Sequence, residues 1–187
     1  MLEIGSHVSY STFGPGEVVD HRVRLHDGKE TTFAVVVFPH KHLEVQLPIG
    51  LAGVADRLRP IVGAREARRL LKKPAAPALV LSSVYEEREK AAHRLLRENN
   101  PAAWADVLWS YVTYFGNGGL LAVSDRELVS DSIGRLSCEA GYALNEAPEV
   151  ISAELWKPFE ATPKKRPRNR KGAAAPVEGA PEAVVGT

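Results

Sequence analysis

Residues 5–19 read GSHVSYSTFGPGEVV, and the fold of the N-terminal half is decided there. Val8 and Tyr10 alternate with polar residues, the period of a half-buried strand. The run breaks at Gly14-Pro15-Gly16, which reads as a turn, with two residues free to take positive φ and one with φ fixed. Pairing is expected to resume at Val18. A short strand, a turn and a long twisted hairpin are how a small, strongly bent five-stranded barrel begins.

Working outward, residues 21–26 and 31–38 are two β-prone runs separated by Asp27-Gly28-Lys29-Glu30, and Asp-Gly is a strong hairpin signal. Phe33, Val35 and Val37 alternate with Thr32, Ala34 and Val36, so the second face is also apolar, as suits a strand covered on both sides. Residues 39–42 read as a turn. Leu43, Val45 and Leu47 form another alternating strand, and Pro48 closes it.

The remainder of the chain is helical in pattern. Residues 64–73 place Ala67, Leu70 and Leu71 on one face and Arg65, Arg68, Arg69 and Lys72 around the other, a short basic amphipathic helix stopped by Pro74 and Pro77. Ser82 or Ser83 caps a second helix running to Glu98, with Glu86 completing a capping box from Ser83. Asn99-Asn100-Pro101 ends it and opens a third helix to about Phe115, striped by Trp104, Val107, Leu108, Tyr111 and Val112. A glycine-rich loop at 116–119 follows. Ser124, with Glu127, caps a fourth helix through Leu128, Ile133, Leu136 and Ala140 to about Asn145. A last short helix spans 148–157. From 161 onward Ala, Pro, Lys, Arg and Gly replace core residues, so a disordered basic tail is expected.

Composition narrows the class. The 187 residues carry a formal net charge of +1, and no apolar run is long enough for a membrane span. No charged-then-apolar leader opens the chain, and a cytoplasmic monomer is expected. The single Cys138 excludes an intramolecular disulfide and a thiolate cluster, and its apolar spacing predicts a buried thiol. The small net charge hides blocks: six Lys/Arg against seven Asp/Glu in 1–62, nine against five in 64–99, three against nine in 100–160, six against two thereafter. Such blocks suit one segment facing an anionic partner and another that does not. There is no glycine-rich phosphate loop, no nucleophile–His constellation and no metal signature, so neither an enzyme nor a cofactor protein is expected. His40, His42 and Glu44 could share one side of a strand, but a turn precedes them and no fourth ligand is evident, so no metal is expected there.

The opening motif resembles that of the CarD/CdnL family of bacterial transcription regulators, whose first strand runs from a Gly through Val-x-Tyr to Gly-x-Gly-x-Val. Gly5, Val8, Tyr10, Gly14, Gly16 and Val18 stand at those places. The likeness continues through Leu47-Pro48-Ile49 and residues 56–59. In the helical half, Tyr85, Arg88 and Asn100-Pro101 keep the spacing of the family's Trp, Arg and helix break. Residues 119–128 are similar to its Gly-Leu-Ser helix start, and Leu136 and Glu139 to its later Leu-x-x-Glu. About residues 3–157 are covered.

The resemblance implies an α+β protein, with a Tudor/SH3-like β-barrel over 1–62 and an all-α domain of about five helices over 63–160; the basic tail over 161–187, read from composition, lies outside it. It implies a non-enzymatic initiation factor whose barrel docks on the RNA polymerase β subunit, through Arg22, Arg24, Gln46, Leu47 and Pro48. The helical domain would reach promoter DNA at the upstream edge of the melted bubble. Tyr85 would be an aromatic wedge in the minor groove, favouring the open state because only distorted DNA offers that site. Arg88, Lys90 and Arg94 would neutralise phosphates without reading sequence, and the basic run of the tail, Lys164, Lys165 and Arg166, could add phosphate contacts of its own.

The chain also departs from the family. Tyr85 stands in place of Trp, Glu86 and Glu87 follow it, Asp125 replaces a commonly basic residue, and Gln46 replaces an Arg found in some members. An adaptor that keeps the polymerase contact and has lost promoter DNA is the alternative. In that case Tyr85 is half-buried packing and the Arg65–Lys73 charges are a solvated face. Trp104, Trp109 and Trp156 read as core and inter-helix packing.

Overall fold

Five antiparallel strands precede five α-helices in the computed structural model, which describes residues 2–51, 53–76, 79–115 and 121–160. The 116–119 loop, the first residues of the 119–128 motif, and the tail with Lys164, Lys165 and Arg166 lie outside the described residues. The class is α+β.

Strands β1 (His7–Tyr10), β2 (Gly14–His26), β3 (Lys29–Phe38), β4 (Leu43–Pro48) and β5 (Leu58–Pro60) pair in the order β4-β3-β2-β1-β5. The two end strands are the sheet's edges. A β4–β5 ladder, which would close the sheet into the expected barrel, is not formed among the described residues. The Gly14-Pro15-Gly16 reading needs correction. The turn is Ser11 to Phe13, and the triplet already belongs to β2, opposite Tyr10, Ser9 and Val8. Gly14 absorbs a φ of 83° where the strand begins. Gly16 has a packing role, because a Cβ there would stand 2.6 Å from the Val37 carbonyl and 2.7 Å from the Phe38 ring.

The β2–β3 turn is tighter than the sequence suggested. Asp27 and Gly28 both take positive φ (51° and 75°), the two-residue connection whose twist suits a hairpin, so Lys29 and Glu30 are strand. A register shift between Val18 and Asp20 bends β2. Val35 and Val36 are both fully buried, so this part of β3 is covered on each face. Val8, Tyr10, Val18, Ala34, Val36, Phe38 and Leu47 make the sheet's own core.

The helices are α1 (Ala64–Leu70), α2 (Tyr85–Arg97), α3 (Pro101–Phe115), α4 (Val123–Leu144) and α5 (Pro148–Glu160). Their starts differ in detail from the capping boxes read in the sequence. Val84 precedes α2 with no side-chain cap, while Ser82 Oγ accepts from the Val84 N–H and donates to Glu87. Ala122, not Ser124, precedes α4. Asn100 Oδ1 does cap α3, accepting from the Ala102 N–H at 3.0 Å behind Pro101. Helix α1 ends before Lys72 and Lys73. Trp104, Leu108, Tyr111, Ile133 and Leu136 fill the helical core. Trp104 and Trp109 are buried with their indole N–H groups donated to the Glu98 and Leu70 carbonyls, and Trp156 is half-buried. Among the described residues no helix is long and apolar enough to cross a membrane.

Candidate functional site

Strand register sorts the residues expected to face a polymerase. Arg22 lies opposite Phe33, and Phe33 opposite Pro48; Asp20 lies opposite Val35, and Val35 opposite Gln46. Directly paired residues share a face, so Arg22, Arg24, Gln46 and Pro48 present together on one side of the sheet. Leu47 points the other way and is buried in the core, so it offers no contact surface. Arg22 is half-exposed and held by Asp20, Nε to Oδ2 at 3.1 Å, with Glu44 3.9 Å away. The Arg22 hydrogen bond, helped by the His21 backbone N–H, holds the Asp20 carboxyl below its ordinary range.

Sequence reasoning missed the apolar half of this region. The hairpin runs on past the ladders with β1 and β4, and Val23 and Leu25 are 64% and 76% exposed on the face opposite Arg22 and Arg24. The alternation was visible, but only the register shows that this segment leaves the core.

The expected DNA-facing residues divide sharply. Tyr85 is the first residue of α2 and half-buried, with the Arg88 guanidinium 5.5 Å from its ring centroid. Arg88 itself is buried. Its Nε and Nη2 donate to the two Asp125 oxygens at 3.0 and 2.9 Å, and Nη1 donates to the Ser82 carbonyl at 2.9 Å. The rings of Tyr114 and Phe115 flank it. No face is left for a phosphate, so Arg88 as a DNA contact is corrected to a core cation. Asp125, read from the sequence as standing in place of a commonly basic residue, is its counter-ion, 1% exposed, and also accepts the Tyr111 hydroxyl at 3.0 Å. The Asp125 hydrogen bond raises Arg88 further, and burial with the Asp125 charge pushes the Tyr111 phenol up. Lys90 and Arg94 remain exposed on the outer face of α2, beside Arg97 and interleaved with Glu86 and Glu87.

A polar seam between the sheet and α4 fixes these two surfaces relative to each other. Arg59 grips Glu139 through both oxygens (2.6 and 3.1 Å), and Glu139 also accepts the Val62 N–H at 2.8 Å. Asn99 donates to the Ser9 and Arg57 carbonyls and accepts the Ser9 hydroxyl. His7 stacks on Tyr142, centroids 4.0 Å apart. At the other end, Asp131 accepts from His40 (2.8 Å), Lys41 and Arg135 (3.0 Å). Burial alone would raise the Asp131 carboxyl, but these three partners hold it well below its ordinary range.

Gly134 makes this approach possible, since a Cβ there would stand 1.9 Å from His40 Nδ1. His40 is thus committed to Asp131. His42 sits in left-handed conformation after the 3-10 turn Pro39–Lys41, and the two imidazoles and Glu44 do not converge. Cys138 is buried, and burial pushes its thiol up to about 11. Of the seam residues, the sequence reading names Arg59 and Glu139 as motif members, Asn99 as part of a helix break and His40 as a possible ligand, none of them as a partner in an ion pair or hydrogen bond between sheet and helices. The available signal was a carboxylate between Leu136 and Ala140 on an otherwise apolar face.

No protein-family model matches this chain, and no curated protein matches it. The functional reading therefore rests on the residues and their geometry.

Proposed function

We propose that this protein regulates transcription initiation, docking on the RNA polymerase β subunit through its sheet and carrying its helical half to promoter DNA at the edge of the melted bubble. In this reading the N-terminal sheet serves as a Tudor-like docking module. Arg22, Arg24, Gln46 and Pro48 make the docking face, and the exposed Val23 and Leu25 lie on the opposite side of the same arm. The observation that carries the reading is the seam. Arg59–Glu139 and the Asp131 cluster join the sheet to α4, and the Arg88–Asp125 pair joins α4 to α2, as a tether from polymerase to DNA requires. Tethering supplies the local concentration that a weak DNA contact lacks. Tyr85 acts as the wedge, while Lys90 and Arg94, with Lys164, Lys165 and Arg166 of the tail, meet phosphates independently of sequence. No catalytic step is proposed.

A second reading is favoured by the buried Arg88–Asp125 pair and by Glu86 and Glu87 beside Tyr85. With the Arg88 charge neutralised inside the fold, the start of α2 is acidic, and the chain acts as a polymerase-bound adaptor without promoter contact. Pull-down of polymerase core enzyme, with and without a promoter fragment, separates the two. The initiation factor retains polymerase, loses it on Arg22→Glu, and retains more promoter than Tyr85→Ala does. Failure to retain polymerase overturns both readings.

A further inference from the structure

Ser11 and Thr12, in the β1–β2 turn, face α2 and α4 across a cavity of about 450 Å³. His93 and Arg97 of α2 and Asp131 and Arg135 of α4 complete its polar lining. This cleft lies away from the docking face and from Tyr85.

Its chemistry is cationic in an unusual way. Arg135 is 6% exposed, and a guanidinium stays charged at any accessible pH. Its Nε is spent on Asp131 at 3.0 Å, its Nη2 reaches the Thr12 carbonyl at 3.4 Å, and its plane lies 5.5 Å from the Trp104 ring centroid. Nη1 is buried with no partner among the described residues. A buried cation so thinly compensated is costly, so the floor of this cleft favours negative charge at its mouth. Asp131 does not neutralise the cleft. Both its oxygens are engaged, and Lys41 shares its charge with Arg135, so Lys41, Arg97 and Arg135 stand against one carboxylate.

We propose that this cleft binds a phosphate group. Arg97 and the Ser11 and Thr12 hydroxyls make the direct contacts at the rim, and Arg135 supplies a fixed positive charge from the floor, where low dielectric strengthens it. A tetrahedral oxyanion suits donors arriving from three elements. The phosphate is carried either by a nucleic-acid backbone or by a small phosphorylated solute. The inference stands apart from the proposed function, since it needs neither polymerase nor Tyr85.

Titration of the full-length chain with inorganic pyrophosphate, followed by calorimetry and by amide shifts, tests it. Saturable binding is expected at roughly millimolar concentration or below, weakened about tenfold or more by Arg97→Ala, with shifts centred on residues 11–12, 93–97 and 131–135. Arg97 is exposed, so this variant folds; Arg135→Lys, which keeps the charge, should retain more affinity than Arg135→Gln. A short duplex that competes with pyrophosphate assigns the site to backbone phosphate. Pyrophosphate binding that a duplex does not displace assigns it to a small phosphorylated solute. No saturation up to about 10 mM, or binding indifferent to Arg97→Ala and Arg135→Gln alike, overturns the site.

Discussion

Arg59 of β5 and Glu139 of α4 form a two-armed ion pair, 2.6 and 3.1 Å long, in which the carboxylate is 1% exposed. Glu139 has no access to water, so its charge is tolerable only because Arg59 and the Val62 N–H satisfy it. The Arg59 Nε simultaneously donates to the Asn99 carbonyl at 2.6 Å, so one guanidinium ties β5 to α4 and to the α2–α3 junction. The orientation of sheet and helices is therefore a property of the fold.

Glu139→Ala should cost about 3–5 kcal/mol, the usual loss when one partner of a buried pair is removed and the other is stranded. Chemical denaturation of the wild type should show one transition by both far-UV dichroism and tryptophan fluorescence. In the variant the two probes should separate, because the sheet carries no tryptophan.

Removing Arg88 alone should be comparably harmful. Arg88→Met strands Asp125 in the core, at a cost of about 3–5 kcal/mol. Arg88→Met with Asp125→Leu should recover part of that loss, the Tyr111 hydroxyl being left without its acceptor. Lys90→Ala, on the exposed face, should leave the unfolding midpoint within about 0.5 kcal/mol of wild type. If Arg88→Met were as mild as Lys90→Ala, the interior placement of Arg88 would be wrong.

The Asp131 cluster predicts acid sensitivity. Its carboxyl is depressed in the folded state, so its contribution is fully present above the ordinary value of 3.8 and is lost as pH falls below it toward the lower folded value. Asp131→Asn should lose about 1–3 kcal/mol at neutral pH, since charge-assisted hydrogen bonds become neutral ones, and should show a flatter stability profile below pH 3.8. Urea midpoints across that range provide the check.

Gly134→Ala should displace His40 from Asp131, because the added methyl would occupy the imidazole's position. A loss of about 1–3 kcal/mol is expected from the overpacking. His40→Ala in the same chain should relieve part of it. A double variant no better than Gly134→Ala would place the conflict elsewhere.

These interior contacts mark where the sequence was legible. The Asp27-Gly28 hairpin, the alternation in β3 and the Pro101 helix start rest on local backbone preferences, and each appears in the fold, the hairpin with Lys29 and Glu30 drawn into β3. The Gly14-Pro15-Gly16 segment misled because a positive φ at Gly14 is compatible with a turn or with a strand beginning, and only the approach of Phe38 to Gly16 decides between them. Ser82, Ser83 and Ser124 were plausible caps on spacing alone, yet their helices begin one or more residues from the expected positions. The candidate site was least legible. Arg88 and Asp125 are 37 positions apart and Arg59 and Glu139 are 80 apart, so neither pairing leaves a local pattern. A charge on an amphipathic helix reads as solvated until its partner is placed in space.

The lifetime of polymerase open complexes on a bubble promoter tests the central claim most directly, with wild type, Tyr85→Ala and Arg22→Glu compared side by side. The account predicts that wild type lengthens the lifetime and that each substitution removes the effect, Arg22→Glu by releasing the tether and Tyr85→Ala by removing the wedge. A wild-type protein that binds polymerase and leaves the lifetime unchanged would contradict it.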